Sequence, residues 1–525
     1  MKSTFKTETQ IAAQDEIPNT VEPQPLHDQA DSTWPIFKSL ARGGAAVAAA
    51  AASSGCPPNQ PFMPADPYPD VVPPKLHDTL RRLVDRMTFG LNAREADLVR
   101  ALGHDNYIEY HLNYESINDT ALESRLQEYR TLGLSPRELA LRERLSDLSH
   151  VEEFFTATYL RSAYSTRQLY ERMVAFWTNH FSTYLGKQAL EILKPVDDRE
   201  VVRPFALGHF PDLLSASAHS PAMLHYLDNT TSVAEAPNQN YARELLELHT
   251  VGPENFTQTD MEEVARCFTG WTVNSNFSSP NLGRFQFVPE MHDNGAKFVL
   301  GHGIPAGGGV RDGEIVLEIL TTDAAIAPLT ANFIARKIAV EFHGYDPPMT
   351  LIADMANTFL RTRGDIRAML RVVLARQWIE AAPPKLKRPY HLVMSALRAR
   401  PSNITKSADV SRALGIMEHI PYTWIPPNGF PDNADYWGGN ILSRWNFGTL
   451  FVEQTRAAPV DWTPFMGDLT KDELLDQIDT YFFGHTMPSD MRTVLADFLA
   501  AEPDNFFHRM QAIGLAIDAP PFQWY

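Results

Sequence analysis

Apolar residues recur at helical spacing through most of this chain. From His77 onward, hydrophobes at i, i+3, i+4 and i+7 run through LHDTLRRLVDRMTFG, VEEFFTATYLRSAY, TRQLYERMVAFWTNHF, TANFIARKIAVEFHG, LIADMANTFLRTRG, DIRAMLRVVLARQWI, RPYHLVMSALRA and MRTVLADFLAA. That spacing predicts amphipathic helices. Gly344 and Gly364 stand where two of them should stop. Strand-like alternation is scarce, with RFQFV (Arg284 to Val288) and KFVLG (Lys297 to Gly301) the best cases, and they are expected to pair as one small hairpin. The expected fold is all-α: a single large multi-helix domain over residues 76–525 with a small β-hairpin excursion. Asn274 to Val310 and Tyr422 to Gly439 read as long Pro/Gly loops, the second rich in aromatics. Loops of that length held by rigid helices often carry function, although the same composition suits a surface loop packed by its own rings.

Residues 1–75 lack this periodicity and read as a leader or linker of disordered composition. Within them Lys38 and Arg42 precede an Ala-rich run from Ala45 to Ala52, then Ser53, Ser54, Gly55 and Cys56. Basic, weakly apolar, then small residues before a cysteine is the order of an export signal, with Cys56 a candidate lipid-attachment site. The expected location is therefore extracytoplasmic, in the periplasm or at the cell surface. The long polar lead before Lys38 argues for the alternative, a flexible linker in a cytoplasmic protein.

The net charge of −18 changes the list of partners. Sequence-independent nucleic-acid binding needs Lys and Arg to neutralise phosphates, so no nucleic-acid partner is expected. No apolar run approaches the length of a membrane-spanning helix. Two cysteines, Cys56 and Cys267, cannot build a disulfide framework, and Cys267 reads as a buried, inert thiol on a helix.

Candidate chemistry concentrates in NYARELLELHTVGPENFTQTDMEEVARCFTGW, Asn240 to Trp271. On a regular helix Asn240, Glu244 and Glu247 share one polar stripe. In solvent that stripe would be the outer face of an amphipathic helix, with Arg243 and Glu247 as an i,i+4 ion pair. Lining a cleft, one of the two carboxylates could act as a general acid or base, as in glycosidic hydrolysis. His249 falls instead on the apolar side, and His180 does the same in TRQLYERMVAFWTNHF. Two imidazoles in hydrophobic positions need partners or a shared role. PEMHDNGAK adds His292 and Asp293. The next helix should begin at a Thr259 N-cap with Glu262 completing a capping box and an i,i+4 Glu262–Arg266 pair. HExxH, paired ExxH, GxSxG, P-loop and Rossmann patterns are all missing. Neither a cofactor nor a metal is therefore assigned.

Several blocks in order identify a resemblance: RLVDRMTFGLN, ALGHDNYIEYHL, ERMVAFWTNHFS, MLHYLDN, APNQNYARELLELHTVG, FTQTDMEEVARCFTGWTV, FVPEMHDNGAKFVLG, FIARKIAVEFHG, KLKRPYHLVMSALRA, NGFPDNADYW and LSRWNF. They cover about His77 to Phe447, and the chain resembles the bacterial family called domain of unknown function 1800. The resemblance implies a largely helical, often exported protein. It draws attention to His180, Asn240, Arg243, Glu244, Glu247, His249, Trp271, His292 and Asp293, and supplies no catalytic role for any of them.

Three functional readings follow. One is a hydrolase of a cell-surface or extracellular polymer, with Glu244, Glu247, His249 and His180 as catalytic candidates and Asn240, Arg243, Trp271, His292, Asp293 and Trp437 as substrate-binding ones. The second is a non-catalytic envelope or secretion accessory protein with an envelope partner. The third is a metal-assisted enzyme using the histidines.

Overall fold

A computed structural model describes residues 78–525 apart from 401, 440, 454–461, 463–464, 466–467 and 502–504. The expected export signal and Cys56 lie outside the described residues. Helices dominate, as the periodicity predicts, and the strands among the described residues are short and lie between Trp271 and Ile304. No helix among the described residues is long and apolar enough to cross a membrane.

The stripes of the amphipathic helices meet in two large hydrophobic clusters. One gathers the helices Gln168–His180, Ala327–Phe342, Met349–Thr362 and Ile366–Val373. Leu169, Met173 and Trp177 of the first and Ile334, Ile338 and Phe342 of the second belong to one contiguous core. The other cluster gathers Pro389–Ala399, Ser407–Ile416, Lys471–Ile478 and Phe506–Asp518 with the end of Ser149–Tyr164. Met349–Thr362 ends on Arg363 and Gly364, both at positive φ, where the sequence predicted its stop. Ala327–Phe342 ends just before His343 and Gly344, again as expected.

The single hairpin expected from RFQFV and KFVLG does not form. β1 (Trp271–Val273) pairs antiparallel with β2 (Phe285–Phe287), in the register Trp271↔Phe287, and β3 (Lys297–Val299) pairs with β4 (His302–Ile304). The reason is local. Leu300 and Gly301 take φ of 48° and 88°, so the end of KFVLG is itself a two-residue hairpin turn that returns the chain onto β3.

Two helix details also differ. The segment after Gln239–Glu244 widens into a π-turn over Leu245–His249, which shifts the phase assumed for a regular helix. The next helix is Gln258–Cys267; its N-cap is Thr257 and its capping box closes on Asp260, two residues earlier than Thr259 and Glu262. Arg266 pairs with Glu263 and Asp293, while Glu262 accepts from Gln258.

Candidate functional site

The π-turn sorts the groups of the Asn240 to His249 segment by depth. Tyr241, Ala242, Leu245, Leu246 and His249 are buried, Asn240, Glu244 and Glu247 half-buried, and Arg243 exposed. Among the described residues no ion pair joins Arg243 to Glu247. Burial first, and then the neighbouring Glu247 charge, hold the Glu244 carboxyl above its ordinary pKa.

His249 and His180 come together as the sequence suggested, with ring centroids 5.8 Å apart. Nε2 of His180 donates to the main-chain carbonyl of His249 at 3.2 Å. Burial, then the Lys337 ammonium, lowers the His249 pKa to about 3; the same causes push His180 well down. Both rings are therefore neutral. Lys337 is itself pushed down by burial to about 8. No group of three or more His, Cys, Asp or Glu side chains among the described residues is placed to hold a metal ion.

His292 belongs to a different cluster. Its Nδ1 donates to the Thr269 carbonyl at 2.8 Å, and its Nε2 lies 3.1 Å from Asp312 Oδ2, which also takes Lys297 Nζ at 2.6 Å. All three side chains are buried, so the group ties the turn at His292 to Lys297 of β3, to Asp312 at the start of the helix Arg311–Thr322 and, through Thr269, to the end of Gln258–Cys267. Asp293 is bound by Arg266 at 2.7 Å. Trp271 is fully buried against Phe268, Phe285 and His219. Cys267 lies buried nearby with its thiol pushed up to about 12, mainly by burial, as expected of an inert thiol.

The best-formed cleft lies elsewhere, where the two clusters meet. It encloses about 830 Å³ including its open mouth. Gln168–His180 contributes Glu171, Arg172, Ala175, Thr178 and Asn179 along one face. The end of Ala327–Phe342 contributes Glu341, and the start of Pro389–Ala399 contributes Arg388, Tyr390 and His391. The loop from His419 to Phe430 closes it with Tyr422, Trp424 and Phe430. That aromatic loop is the one the sequence singled out.

Specific bonds hold the loop in place. Asn179 grips the main chain of Phe430 twice, donating from Nδ2 to its carbonyl at 3.0 Å and accepting its N–H at 2.8 Å. The grip requires Gly429: its φ is 74°, and a Cβ there would sit 2.2 Å from the Asn179 carbonyl oxygen. Trp437 lies beneath the loop, stacked on His419 at 4.7 Å and donating from Nε1 to the Pro431 carbonyl at 2.7 Å. Tyr226 donates its hydroxyl to the Ile425 carbonyl from the outer side. Glu244 sits close enough to Tyr226 for its charge to disfavour the phenolate.

The floor is a buried charge network. Glu341 accepts from Arg172 Nη2 at 2.7 Å and from Arg388 Nη2 at 2.8 Å. Lys385 and Asp432 pair at 2.5 Å beside them. Burial works to raise the Glu341 pKa, but Arg388 and Arg172 outweigh it and hold the carboxyl down at about 2. Glu171 takes a forked bond from Arg203 at 3.0 and 3.1 Å. Arg172 Nη1 also donates to Nδ1 of His391 at 2.9 Å, which leaves the His391 proton on Nε2. Burial, then Arg172, keeps His391 neutral. Four lining side chains hold buried polar atoms without a partner among the described residues: Arg172 Nε, Thr178 Oγ1, Thr183 Oγ1 and His391 Nε2.

Of the ten residues the sequence nominated, none lines this cleft; Trp437 supports it, and Glu244 approaches its outer loop through Tyr226. Sequence reasoning missed Arg172, Glu341, Arg388 and His391. A signal was present in KLKRPYHLVM, where Arg388 and His391 open an apolar helix, the same anomaly that drew attention to His180 and His249.

No curated protein and no solved structure matches the chain. A family described as "Protein of unknown function (DUF1800)" matches residues 82–524, the helical body and the whole cleft with it. The chain belongs to the DUF1800 family.

Proposed function

We propose that the protein recognises a sugar unit of a cell-surface or extracellular polymer in the cleft between Gln168–His180, Pro389–Ala399 and the 419–430 loop. The observation that carries this reading is the pairing of flat apolar walls with buried polar atoms that still need partners. Tyr422, Trp424, Phe430 and Tyr390 supply the walls; Arg172, Thr178, Thr183 and His391 supply the polar atoms. Ligand sites commonly combine an apolar lining with a few placed hydrogen-bonding groups. Each buried donor left unpaired costs about 1–3 kcal/mol, which a hydroxyl-rich ligand would recover. The run from Lys38 to Cys56 supports an exported protein, where such polymers lie. Calorimetric titration of the full chain with neutral, uronate-containing and sulfated oligosaccharides tests the reading. Binding that Trp424→Ala weakens supports it; no heat with any of the three kinds rejects it.

One observation favours a hydrolytic second reading. The carboxylates of the cleft itself, Glu171 and Glu341, are both taken up by arginines. Glu244, raised by burial beside Glu247, is the better acid, and Tyr226 ties its neighbourhood to the cleft's outer loop. If the bound oligosaccharide is cleaved, Glu244→Gln should reduce turnover by about 100-fold or more while binding survives. Full activity in that variant would remove Glu244 from the chemistry.

A further inference from the structure

The donors that line the cleft are not balanced by acceptors. Arg172 Nε–H can only donate. His391 can only donate from Nε2, because Arg172 Nη1 occupies Nδ1 at 2.9 Å. Both atoms are buried and lack a partner among the described residues, and the two side chains are 97% buried. Thr178 and Thr183 add hydroxyls that can serve either way. The charges point in the same direction. Arg172, Arg203 and Arg388 line the cleft against Glu171 and Glu341, leaving one positive charge over. Behind them Arg161 and Lys385 face Asp198 and Asp432, so the surplus persists. A protein with a net charge of −18 thus keeps a cationic surplus in its best-formed cleft.

Resting on the reading of the cleft as a sugar site, we infer that the bound sugar carries an oxyanion, a carboxylate or a sulfate ester, docked on Arg172 and His391. An oxyanion is acceptor-only, so it matches two donor-only groups, where a sugar hydroxyl would bring a donor of its own. The neutral imidazole contributes as a fixed hydrogen-bond donor rather than as a cation. Glu341 and Arg388 act as positioning groups that hold the Arg172 guanidinium in its bond to His391 Nδ1.

The test compares three probes on the intact chain: an oligogalacturonide, a sulfated galactan oligosaccharide and a neutral galactan oligosaccharide of the same length. Hydrogen bonds to charged groups predict that at least one anionic probe binds roughly 10- to 100-fold more tightly than the neutral one. His391→Leu deletes the Nε2 donor together with the Nδ1 acceptor of Arg172 Nη1, and should remove most of that preference. Circular dichroism checks that the variant folds, and the wild-type preference is decisive by itself if it does not. Equal binding of all three probes overturns the oxyanion inference and leaves the sugar reading standing. Retention of the preference in folded His391→Leu also overturns the inference. Binding of none of the three overturns both.

Discussion

Replacing Glu341 by Gln tests whether the cleft floor is held by charge. The carboxylate lies between Arg172 and Arg388, and the Arg172–Glu341 pair is 2% and 5% exposed on its two side chains. A glutamine of the same shape offers one carbonyl oxygen, enough for one guanidinium, and turns an N–H₂ group toward the other. Two cations then lose the charge that compensated them, and only one of the two hydrogen bonds remains. Removing one partner of a buried ion pair typically costs about 3–5 kcal/mol. A second route gives a similar size. The folded carboxyl is held at about 2 against an ordinary value of 4.5. At about 1.4 kcal/mol per pH unit that gap is worth about 3 kcal/mol. The sign follows from the depressed pKa: the contribution is fully present above about 4.5 and is lost as pH falls toward about 2. Urea unfolding followed by tryptophan fluorescence and circular dichroism should therefore show Glu341→Gln less stable by about 3 kcal/mol at pH 7 and pH 5.5. The difference from wild type should shrink when the series is extended below pH 4. Adding Arg172→Met removes one stranded cation, so the double variant should cost less than the two single costs combined, by about 1–3 kcal/mol. A Glu341→Gln variant within about 0.5 kcal/mol of wild type at pH 7, the range of ordinary surface changes, would refute the reasoning.

Three further outcomes follow from the packing. Trp271→Ala should cost about 3–5 kcal/mol for the cavity it leaves. Trp271→Phe should cost only about 1–2 kcal/mol because Nε1 has no partner to lose among the described residues; equal losses in denaturant melts would mean the indole N–H is bonded. Gly429→Ala should lower both melting temperature and cleft-ligand affinity, since its Cβ would meet the Asn179 carbonyl and push the aromatic loop outward; unchanged affinity would separate loop position from binding. Thr257→Ala should cost about 1 kcal/mol by opening the capping box with Asp260, whereas Thr259→Ala should be near neutral in the same thermal melts.

The helices could be read from the sequence because their cause is local. A stripe such as Leu169, Met173 and Trp177 repeats at helical spacing, and burying it stabilises a helix whatever it packs against. The stops at Gly344 and Gly364 and the aromatic loop after Tyr422 were legible for the same reason. The pairing of His180 with His249 was also anticipated, because a polar ring in an apolar stripe marks a contact with something. Where one residue decides, the reading slipped: the positive φ at Leu300 and Gly301 turned one expected strand into half a hairpin, and the π-turn at Leu245–His249 changed a helix phase.

The cleft was not legible, and the reason is again physical. Periodicity states which face of a helix is buried, but not which other face it meets. Arg172, Glu341 and His391 lie on helices far apart in the chain and become one network only when the two hydrophobic clusters pack side by side. Each of these side chains alone looks like an ordinary charged or polar residue on an amphipathic helix. Burial and mutual bonding turn them into a fixed donor array, and those are properties of the tertiary structure. The sequence by itself determined a helical protein, its family resemblance and its aromatic loop; the packing of distant helices decided where a ligand could sit and which charges would meet it.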